Sequence, residues 1–350
     1  MSSVAIVDCR RFYAEYFGHE VGPLRVIHDT LRKTGSAGPR PCIFLAGDSS
    51  LDNKVWFEDT AAACNGYERI LSPPRMKQDV AYWINYELSQ RGLDAFCLNT
   101  AVEASSLNSR SLCSLLGQDS LIGECVTPHD TVVVSIGGND LALNPVLATI
   151  ANLVPLLCCT PQICIDKAAC ACPVNTNVDC GCLGCGLPGC LSGSLCGWPP
   201  GMGYFVDLFG HRVENYVRHM LNGRRPARVV VCMIYFLDVH GRGSWADCFL
   251  ASMCYDCAPS RLQSAIRRVF ELATKRIRIP GVEVIALPLF EALDGSDTRD
   301  YVQRVEPSPR GGRKIAKLLL DTIYGGSTER FEDGDSSCGE ERALVRMQRG

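Results

Sequence analysis

Two short segments carry polar side chains of the kinds that perform acyl transfer. Ser49 lies in FLAGDSSLDNK, directly after the apolar run CIFLA at 42–46. A serine hydroxyl at the end of a buried strand can act as a nucleophile if a base accepts its proton. Asn139 lies in GGND, after the apolar run TVVVSI at 131–136, so its polar side chain also follows the end of a predicted strand. Taken singly, both residues are also typical of turns and helix starts.

A third polar segment strengthens the interpretation. NTAVEASS at 99–106 follows the apolar run AFCLN at 95–99. The carboxyl ends of parallel strands lie at one edge of a sheet, so three such segments are expected to border one crevice. Turn chemistry alone does not explain three polar segments at three successive strand ends.

The elements that position these segments can be read from hydrophobic periodicity. Five apolar runs have strand character, and none of them alternates with polar residues, which is typical of parallel strands covered on both faces. They lie at 42–46, 95–99, 131–136, 228–236 and 282–287. Helical spacing fills the intervals at 76–91, 204–221, 260–278 and from Pro309 to about Gly325. The pattern predicts an α/β fold, a three-layer doubly wound sheet of about five parallel strands of the flavodoxin-like type.

One helix start has a local signature. Ser260 and Gln263 have the spacing of a capping box, in which each side chain bonds the other residue's backbone N–H.

The predicted domain organisation has four parts. An N-terminal extension of 1–40 precedes an α/β domain of 41–325, which a Cys-rich insertion at 158–203 interrupts, and a polar tail occupies 326–350. Ten of the 21 cysteines fall in the insertion. Four closely spaced thiols there suit tetrahedral zinc, but paired C-x-x-C motifs at a standard separation are missing, so zinc and a reduced loop both stay open. The four are Cys180, Cys182, Cys185 and Cys190.

Composition excludes some classes of partner. A formal net charge of -3 and a pI near 6.1 leave no basic stripe for nucleic acid. The start MSSVAIVDCRRFYAEYF lacks a secretory apolar region, and no apolar run approaches the roughly 20 residues of a membrane span. We predict a soluble, cytoplasmic protein and leave its oligomeric state open.

On these motifs the sequence resembles the SGNH hydrolases, the superfamily of GDSL esterases and lipases. The matching residues fall in three blocks, namely Gly47, Asp48, Ser49, Asp52 and Asn53, then Asn99, Ala101 and Val102, then Gly137, Gly138, Asn139 and Asp140. The resemblance spans about 42–325 outside the insertion. It implies that Ser49 is the nucleophile and that three donors hold the oxyanion: the N–H of Ser49, the N–H of Ala104 and the amide of Asn139. Ala104 stands where the family usually has glycine.

The fourth block departs from the family pattern. In EPSPRGGRKIAKLL, Glu306 occupies the position of the family's histidine, and Gln303 occupies that of its aspartate. In one interpretation Glu306 is the base, although an ordinary glutamate with a pKa of about 4.3 is a weaker base than histidine at about 6.5. Burial, or the nearby carboxylate of Glu103, would raise that pKa. In a second, His240 in FLDVHGRGS reaches in from the end of the fourth strand, with Asp238 beside it.

In a third interpretation the crevice persists without catalysis, and Glu306 pairs with Arg304 or Arg310. The resemblance favours hydrolysis of carboxylic esters of a small acyl group, with no cofactor and a small-molecule ester as the partner. The alternative is a non-catalytic ligand-binding or regulatory protein. A metal-dependent hydrolase using Asp48, Asp140 and Glu306 is less favoured, since no histidine lies among them.

Overall fold

The central feature of the fold is one parallel sheet. The computed structural model describes residues 5–110, 115–142, 147–173 and 196–325. The five strands are Cys42–Gly47 (β1), Phe96–Asn99 (β2), Thr131–Ser135 (β3), Arg228–Met233 (β4) and Glu283–Pro288 (β5). They are all parallel and lie in the order β2-β1-β3-β4-β5. The predicted doubly wound α/β sheet is therefore confirmed.

The continuous hydrophobicity of the strands follows from burial on both faces. Every residue of β1, β2 and β3 is buried. Because successive side chains of a strand point to opposite faces, Phe44 packs into one apolar core while Ile43 and Leu45 pack into the other. The sheet is thus the middle of three layers.

Helices cover both faces. The α-helices are Cys9–Phe12, Val21–Arg32, Val80–Gln90, Gly117–Cys125, Gly138–Ala142, Leu147–Val154, Gln162–Ala168, Met202–Asp207, Val213–Leu221, Asp247–Ser252, Pro259–Leu272 and Pro309–Tyr324. Two π-helical turns, Pro155–Cys159 and Leu208–Arg212, extend the helices before them. Single 3-10 turns lie at Lys54–Trp56, Tyr67–Arg69, Asn108–Arg110, Thr274–Arg276, Leu289–Glu291 and Thr298–Asp300.

Among the described residues, four short strand pairs lie outside the five-stranded sheet. They are Val7–Asp8 with Leu71–Ser72, Thr60–Ala62 with Arg75–Lys77, Cys170–Ala171 with Gly197–Trp198, and Tyr301–Val302 with Glu306–Pro307. The last of these pairs fixes the backbone of Glu306.

The described residues before β1, from residue 5 onwards, include a helix that packs against the sheet. Leu24, Ile27 and Leu31 of the helix Val21–Arg32 are almost fully buried in the core on one face of the sheet. This segment, whose role the sequence left unassigned, supplies a covering helix.

The predicted capping box is wrong. The helix Pro259–Leu272 starts with proline at its first position, and the residue before it, Ala258, has no side chain that can cap. The hydroxyl of Ser260 instead donates to Gln162 Oε1 at 2.8 Å and joins two helices. Proline needs no partner for a backbone N–H at this position, so the helix begins without a capping side chain.

Parts of two predictions lie outside the described residues. The four clustered thiols at 180–190 and the tail 326–350 belong there. The borders of the insertion are described, and they form the helix Gln162–Ala168 and the pair Cys170–Ala171 with Gly197–Trp198. Within the described ranges no single helix has the length and hydropathy to cross a membrane. Thr149–Cys159 and Gln162–Ala168 pass that test only together, and they meet at 105°.

Candidate active site

Ser49 lies in a tight turn immediately after β1. Gly47 has φ +130°, and a Cβ added there would lie 1.8 Å from the Ser135 carbonyl oxygen at the end of β3. The N–H of Asp48 donates to the same oxygen at 3.0 Å. Only glycine permits this close approach, which draws the turn against β3 and leaves Ser49 largely buried.

Asp48 holds the turn together through hydrogen bonds with Ser50. Its Oδ1 accepts the hydroxyl of Ser50 at 2.7 Å and the N–H of Ser50 at 3.1 Å. Burial raises the pKa of Asp48 to about 6, and the hydrogen bonds from Ser50 partly oppose that rise. The role of this carboxyl is to fix the residue next to Ser49.

The loop after β2 lies beside the Ser49 turn. The N–H of Val102 donates to the Gly47 carbonyl at 2.9 Å. Ala104 has φ +57°, the left-handed region that favours glycine. The glycine that the family resemblance expects at this position is therefore explained by backbone geometry, and alanine adopts the same conformation at a cost. Across the described part of the chain, the N–H groups of Ser49 and Ala104 have no hydrogen-bond partner.

Asn139 and Asp140 connect the third motif to the same loop. The amide of Asn139 donates one hydrogen to the Ser105 carbonyl at 2.9 Å, which leaves its second hydrogen for another acceptor. The carboxylate of Asp140 accepts the N–H of Leu107 at 2.8 Å and that of Asn108 at 3.2 Å. Asp140 is thus a structural anchor for the loop.

Arg110 is a central residue of the site that sequence reasoning missed. Its fully buried guanidinium donates to the Gly47 carbonyl at 2.8 Å and to the hydroxyl of Ser105 at 2.7 Å. It also pairs with the buried carboxylate of Asp119 at 2.9 Å. No signal in LNSR separates such an arginine from an exposed one.

The backbone around Glu306 is held on both sides. The side-chain amide of Asn53 donates to the Pro307 carbonyl at 2.7 Å. The hydroxyl of Tyr235 donates to the Val305 carbonyl at 2.7 Å. The short strand Glu306–Pro307 is therefore fixed against the Ser49 turn and the end of β4.

The carboxyl of Glu306 is buried and faces Ser49. Burial raises its pKa well above the ordinary glutamate value, a hydrogen bond from the Ser49 hydroxyl opposes the rise, and the charges of Asp48 and Asp52 add to it. Within the described ranges the Oε2 atom of Glu306 has no hydrogen-bond partner. The group is thus a carboxyl of unusually high basicity that lies beside Ser49.

Glu103 is a second buried carboxyl in the same region. Its Oε2 also lacks a partner among the residues described, and its backbone N–H donates to Asp52 at 3.1 Å. Burial and then the negative charge of Glu306 raise its pKa. Because two neighbouring carboxylates cannot both ionise easily, the pair retains a proton at neutral pH.

Glu306 makes no ion pair with either arginine proposed as its partner. Arg304 binds Asp247 and Asp256, each at 2.8 Å. Arg310 binds Asp297 at 2.7 Å.

His240 lies outside the group of residues around Ser49. It is exposed, and its backbone N–H donates to Asp238 Oδ1 at 2.8 Å. Gln303, which has the position of the family's aspartate, is also exposed, and its carbonyl accepts the hydroxyl of Ser244 at 2.5 Å.

One cavity brings three of the predicted site residues together. Ser49, Asn139 and Glu306 line it, while Ala104 and His240 do not. It encloses about 730 Å³ of empty space, part of it open to solvent. Most of the remaining wall is apolar and comprises Leu141, Leu153, Ile234, Leu237, Trp245, Phe249, Met253, Leu262, Ile266 and Val305. Such a wall suits an apolar ligand group and excludes water from the polar end.

A further buried polar group was not predicted. His19, Asp52 and Asp79 place potential metal ligand atoms within 4.8 Å of one another. The ammonium of the fully buried Lys54 already pairs with Asp52 at 2.8 Å, and His19 Nδ1 lies 2.7 Å from the Phe12 carbonyl oxygen. The ammonium group of Lys54 therefore balances negative charge in this cluster. The three carboxylates Asp48, Asp140 and Glu306 are not among the described sets with metal-ligand spacing.

Comparisons with known proteins concern the fold. No model of a protein family and no curated protein matches the sequence. Solved structures described as esterases and lipases match most of the chain. One is a carbohydrate esterase family 3 structure from Talaromyces cellulolyticus, with 11% identity, a TM-score of 0.37, and coverage of 83% of this chain and 99% of that chain.

Two more of these structures extend the comparison. An acetyl xylan esterase from Geobacillus stearothermophilus has 13% identity and a TM-score of 0.40, and the match covers 83% of this chain and 97% of that chain. A GDSL-like lipase from Bacteroides thetaiotaomicron has 9% identity and a TM-score of 0.36, with coverage of 88% and 100%. The roles of the residues in this chain rest on the geometry described above.

Proposed function

We propose that the protein is a serine hydrolase of carboxylic esters in which a glutamate replaces the usual histidine base. The observation that carries the proposal is the single cavity lined by Ser49, Asn139 and Glu306, in which the Ser49 side chain lies beside the buried carboxyl. Nucleophile, base and oxyanion donor are the three parts that acyl transfer needs within reach of one carbonyl group.

The reaction then runs in two steps. The Ser49 oxygen attacks the ester carbonyl while ionised Glu306 accepts its proton, and the oxyanion is held by the Asn139 amide and the N–H group of Ser49. The protonated Glu306 gives its proton to the leaving alcohol, which departs and leaves an acyl group on Ser49. Water attacks that acyl group while Glu306 accepts its proton. Glu306 then returns the proton to the Ser49 oxygen as the bond to the acyl group breaks, so the carboxylic acid is released and Ser49 and the ionised Glu306 are restored.

The apolar environment of Glu306 compensates for its chemistry. An ordinary glutamate is about two pKa units less basic than histidine, which corresponds to about 3 kcal/mol of proton affinity. Burial of Glu306 raises its pKa in the direction that removes this deficit. The cost is that only part of the protein has the ionised base at neutral pH.

The apolar lining of the cavity indicates what kind of acyl group it would hold. Leu153, Phe249, Met253 and Ile266 surround the polar end and offer no donor or acceptor side chain. We propose an apolar acyl group larger than the small one that the sequence resemblance suggested, because acetate would leave most of this wall uncovered.

A ligand-binding protein is the second candidate. The proton retained by Glu103 and Glu306 favours it, because a protonated carboxyl can donate a hydrogen bond to a ligand oxygen without any reaction. Such a protein would bind apolar acids or esters in the same cavity and would not turn them over.

Active-site labelling separates the two candidates. Wild-type protein is treated with an alkyl fluorophosphonate and digested, and the modified residue is identified by mass spectrometry, alongside turnover of p-nitrophenyl acetate and octanoate. We expect the label on Ser49, its loss in Ser49→Ala, and faster hydrolysis of the octanoate.

The matched control is Ser50→Ala, which removes a neighbouring hydroxyl that lines the same cavity but is occupied by Asp48 and Ser135. This variant should still be labelled on Ser49. A wild-type protein that is neither labelled nor able to hydrolyse either ester would refute the hydrolase and leave the binding protein.

A further inference from the structure

Two cysteines from distant parts of the chain face each other beside the cavity. Cys158 lies in the π-helical turn Pro155–Cys159, and Cys254 follows the helix Asp247–Ser252. Their Sγ atoms are 4.0 Å apart although the residues are 96 positions apart in sequence. Both side chains are half-buried, so small oxidants can reach them.

The two cysteines lie on two chain segments that also supply lining residues of the apolar cavity. Leu153, one helical turn before Cys158, and Met253, which precedes Cys254, both line the space that contains Ser49. Cys158 itself lines an adjoining cavity with Leu153, Phe249 and Met253. A covalent bond between the two sulfur atoms would join the segment that carries Leu153 to the segment that carries Met253.

We propose that Cys158 and Cys254 form a reversible disulfide that ties together the two chain segments bordering the cavity. The bond needs the sulfur atoms to approach from 4.0 Å to about 2 Å, which a change of side-chain rotamer at half-buried residues can supply. The linkage closes a long loop, the arrangement in which a disulfide restricts the unfolded chain most.

The chemistry balances with a small disulfide as the oxidant. One protein thiolate attacks oxidised glutathione and forms a mixed disulfide with one of its halves. The other half is released as reduced glutathione. The second protein thiolate then attacks the protein sulfur of that mixed disulfide and releases another reduced glutathione. Two protein thiols lose two protons and two electrons, and one glutathione disulfide gains them.

Neighbouring cysteines provide matched controls. Cys159 follows Cys158 directly but is exposed. Cys257 is exposed too, and its thiol donates to the Cys254 carbonyl at 3.3 Å, so it lies on the same turn without facing Cys158. Replacement of either residue should leave the proposed bond intact.

The first test is chemical. Reduced full-length protein is equilibrated with oxidised glutathione, remaining thiols are alkylated, and peptides are mapped by mass spectrometry without reduction. A peptide pair joined through Cys158 and Cys254 is expected in the wild type, in Cys159→Ser and in Cys257→Ser, and dithiothreitol should separate it. Full alkylation of both residues, or a bond from either to a different cysteine as the main product, would overturn the proposal.

The second test asks whether the bond controls access to the cavity, and it rests on the proposed function. Labelling of Ser49 by an alkyl fluorophosphonate should slow at least fivefold in the oxidised wild type, recover with dithiothreitol, and be insensitive to oxidation in Cys254→Ser. Equal rates in both redox states, with the cross-link confirmed, would overturn the control of access. If even the reduced protein is not labelled, the hydrolase proposal fails, while peptide mapping still decides the disulfide.

Discussion

The side-chain amide of Asn53 donates a 2.7 Å hydrogen bond to the carbonyl of Pro307, and so joins the turn that carries Ser49 to the strand that carries Glu306. The two residues are 254 positions apart in sequence. The distance between the proposed nucleophile and its base therefore depends on a buried bond that neither of them makes.

Asn53→Ala tests this link. Loss of the amide leaves the Pro307 carbonyl without its donor, so we expect unfolding to become easier by about 1–3 kcal/mol. Because Glu306 is then free to shift away from Ser49, labelling of Ser49 should also slow at least tenfold. The labelling rate is measured on folded protein at low temperature, and a variant that is labelled at the wild-type rate would show that the bond serves stability alone.

The buried carboxyls predict an unusual pH dependence of stability. The pKa values of Glu103 and Glu306 are raised in the folded state, so the folded protein keeps protons that the unfolded chain releases above about pH 4.3. Their contribution is complete below that pH and is lost as the pH rises through the folded-state values. The free energy of unfolding should fall between pH 5 and pH 8.

Glu306→Gln imitates the protonated carboxyl at every pH. It should reduce that fall by about 1–3 kcal/mol, the cost of an unpaired buried group, as measured by urea denaturation in the presence of a reductant. The exposed Glu58 supplies the control, and Glu58→Gln should follow the wild type. A wild-type protein equally stable at both pH values would contradict the raised pKa values.

Ala104 predicts a stabilising substitution. A residue other than glycine in the left-handed region costs roughly 1–2 kcal/mol, and glycine loses about 0.5–1 kcal/mol more than alanine through the entropy of the unfolded chain. Ala104→Gly should therefore stabilise the protein by up to about 1 kcal/mol. Ala101→Gly, at a fully buried position nearby, should destabilise it. A loss of stability in Ala104→Gly would mean that the methyl group packs better than the strained backbone costs.

Asn139 predicts a loss of rate with little loss of fold. Removal of one oxyanion donor costs on the order of 3 kcal/mol of transition-state stabilisation, so Asn139→Ala should lower kcat/KM for p-nitrophenyl octanoate at least a hundredfold. Its bond to the Ser105 carbonyl is a single contact, and the melting temperature should change by only a few degrees. A rate within threefold of the wild type would remove Asn139 from the oxyanion hole.

Sequence reasoning reached the sheet because hydrophobic burial on both faces leaves a clear pattern. All five strands lie where the apolar runs predicted them, within three residues at their ends. The helix predicted from residue 260 is present and begins at Pro259, but the capping box predicted for Ser260 and Gln263 is not formed. Proline at the first helical position has no backbone N–H that would need a capping side chain. The hydroxyl of Ser260, which the local pattern assigned to capping, instead donates to Gln162 of a neighbouring helix.

The candidate site could be predicted only in part, because some of its residues are positioned by contacts that no local sequence pattern shows. Ser49, Asn139 and Glu306 follow or flank strands, and topology brings them to one edge. Arg110 donates to Gly47, 63 positions away in sequence, and His19 lies near Asp52 and Asp79, so no local pattern marks either residue. The distribution of protons between Glu103 and Glu306 depends on desolvation, which only the folded chain defines.

The most direct test of the account is the rate of Ser49 labelling from pH 6 to pH 9 in the wild type, Glu306→Gln and His240→Ala. If buried Glu306 is the base, the wild-type rate rises through this range, above the pH at which an ordinary glutamate is fully ionised. His240→Ala should then follow the wild type, and Glu306→Gln should be slower at least a hundredfold at pH 9. Undiminished labelling of Glu306→Gln, or loss of labelling in His240→Ala, would contradict it.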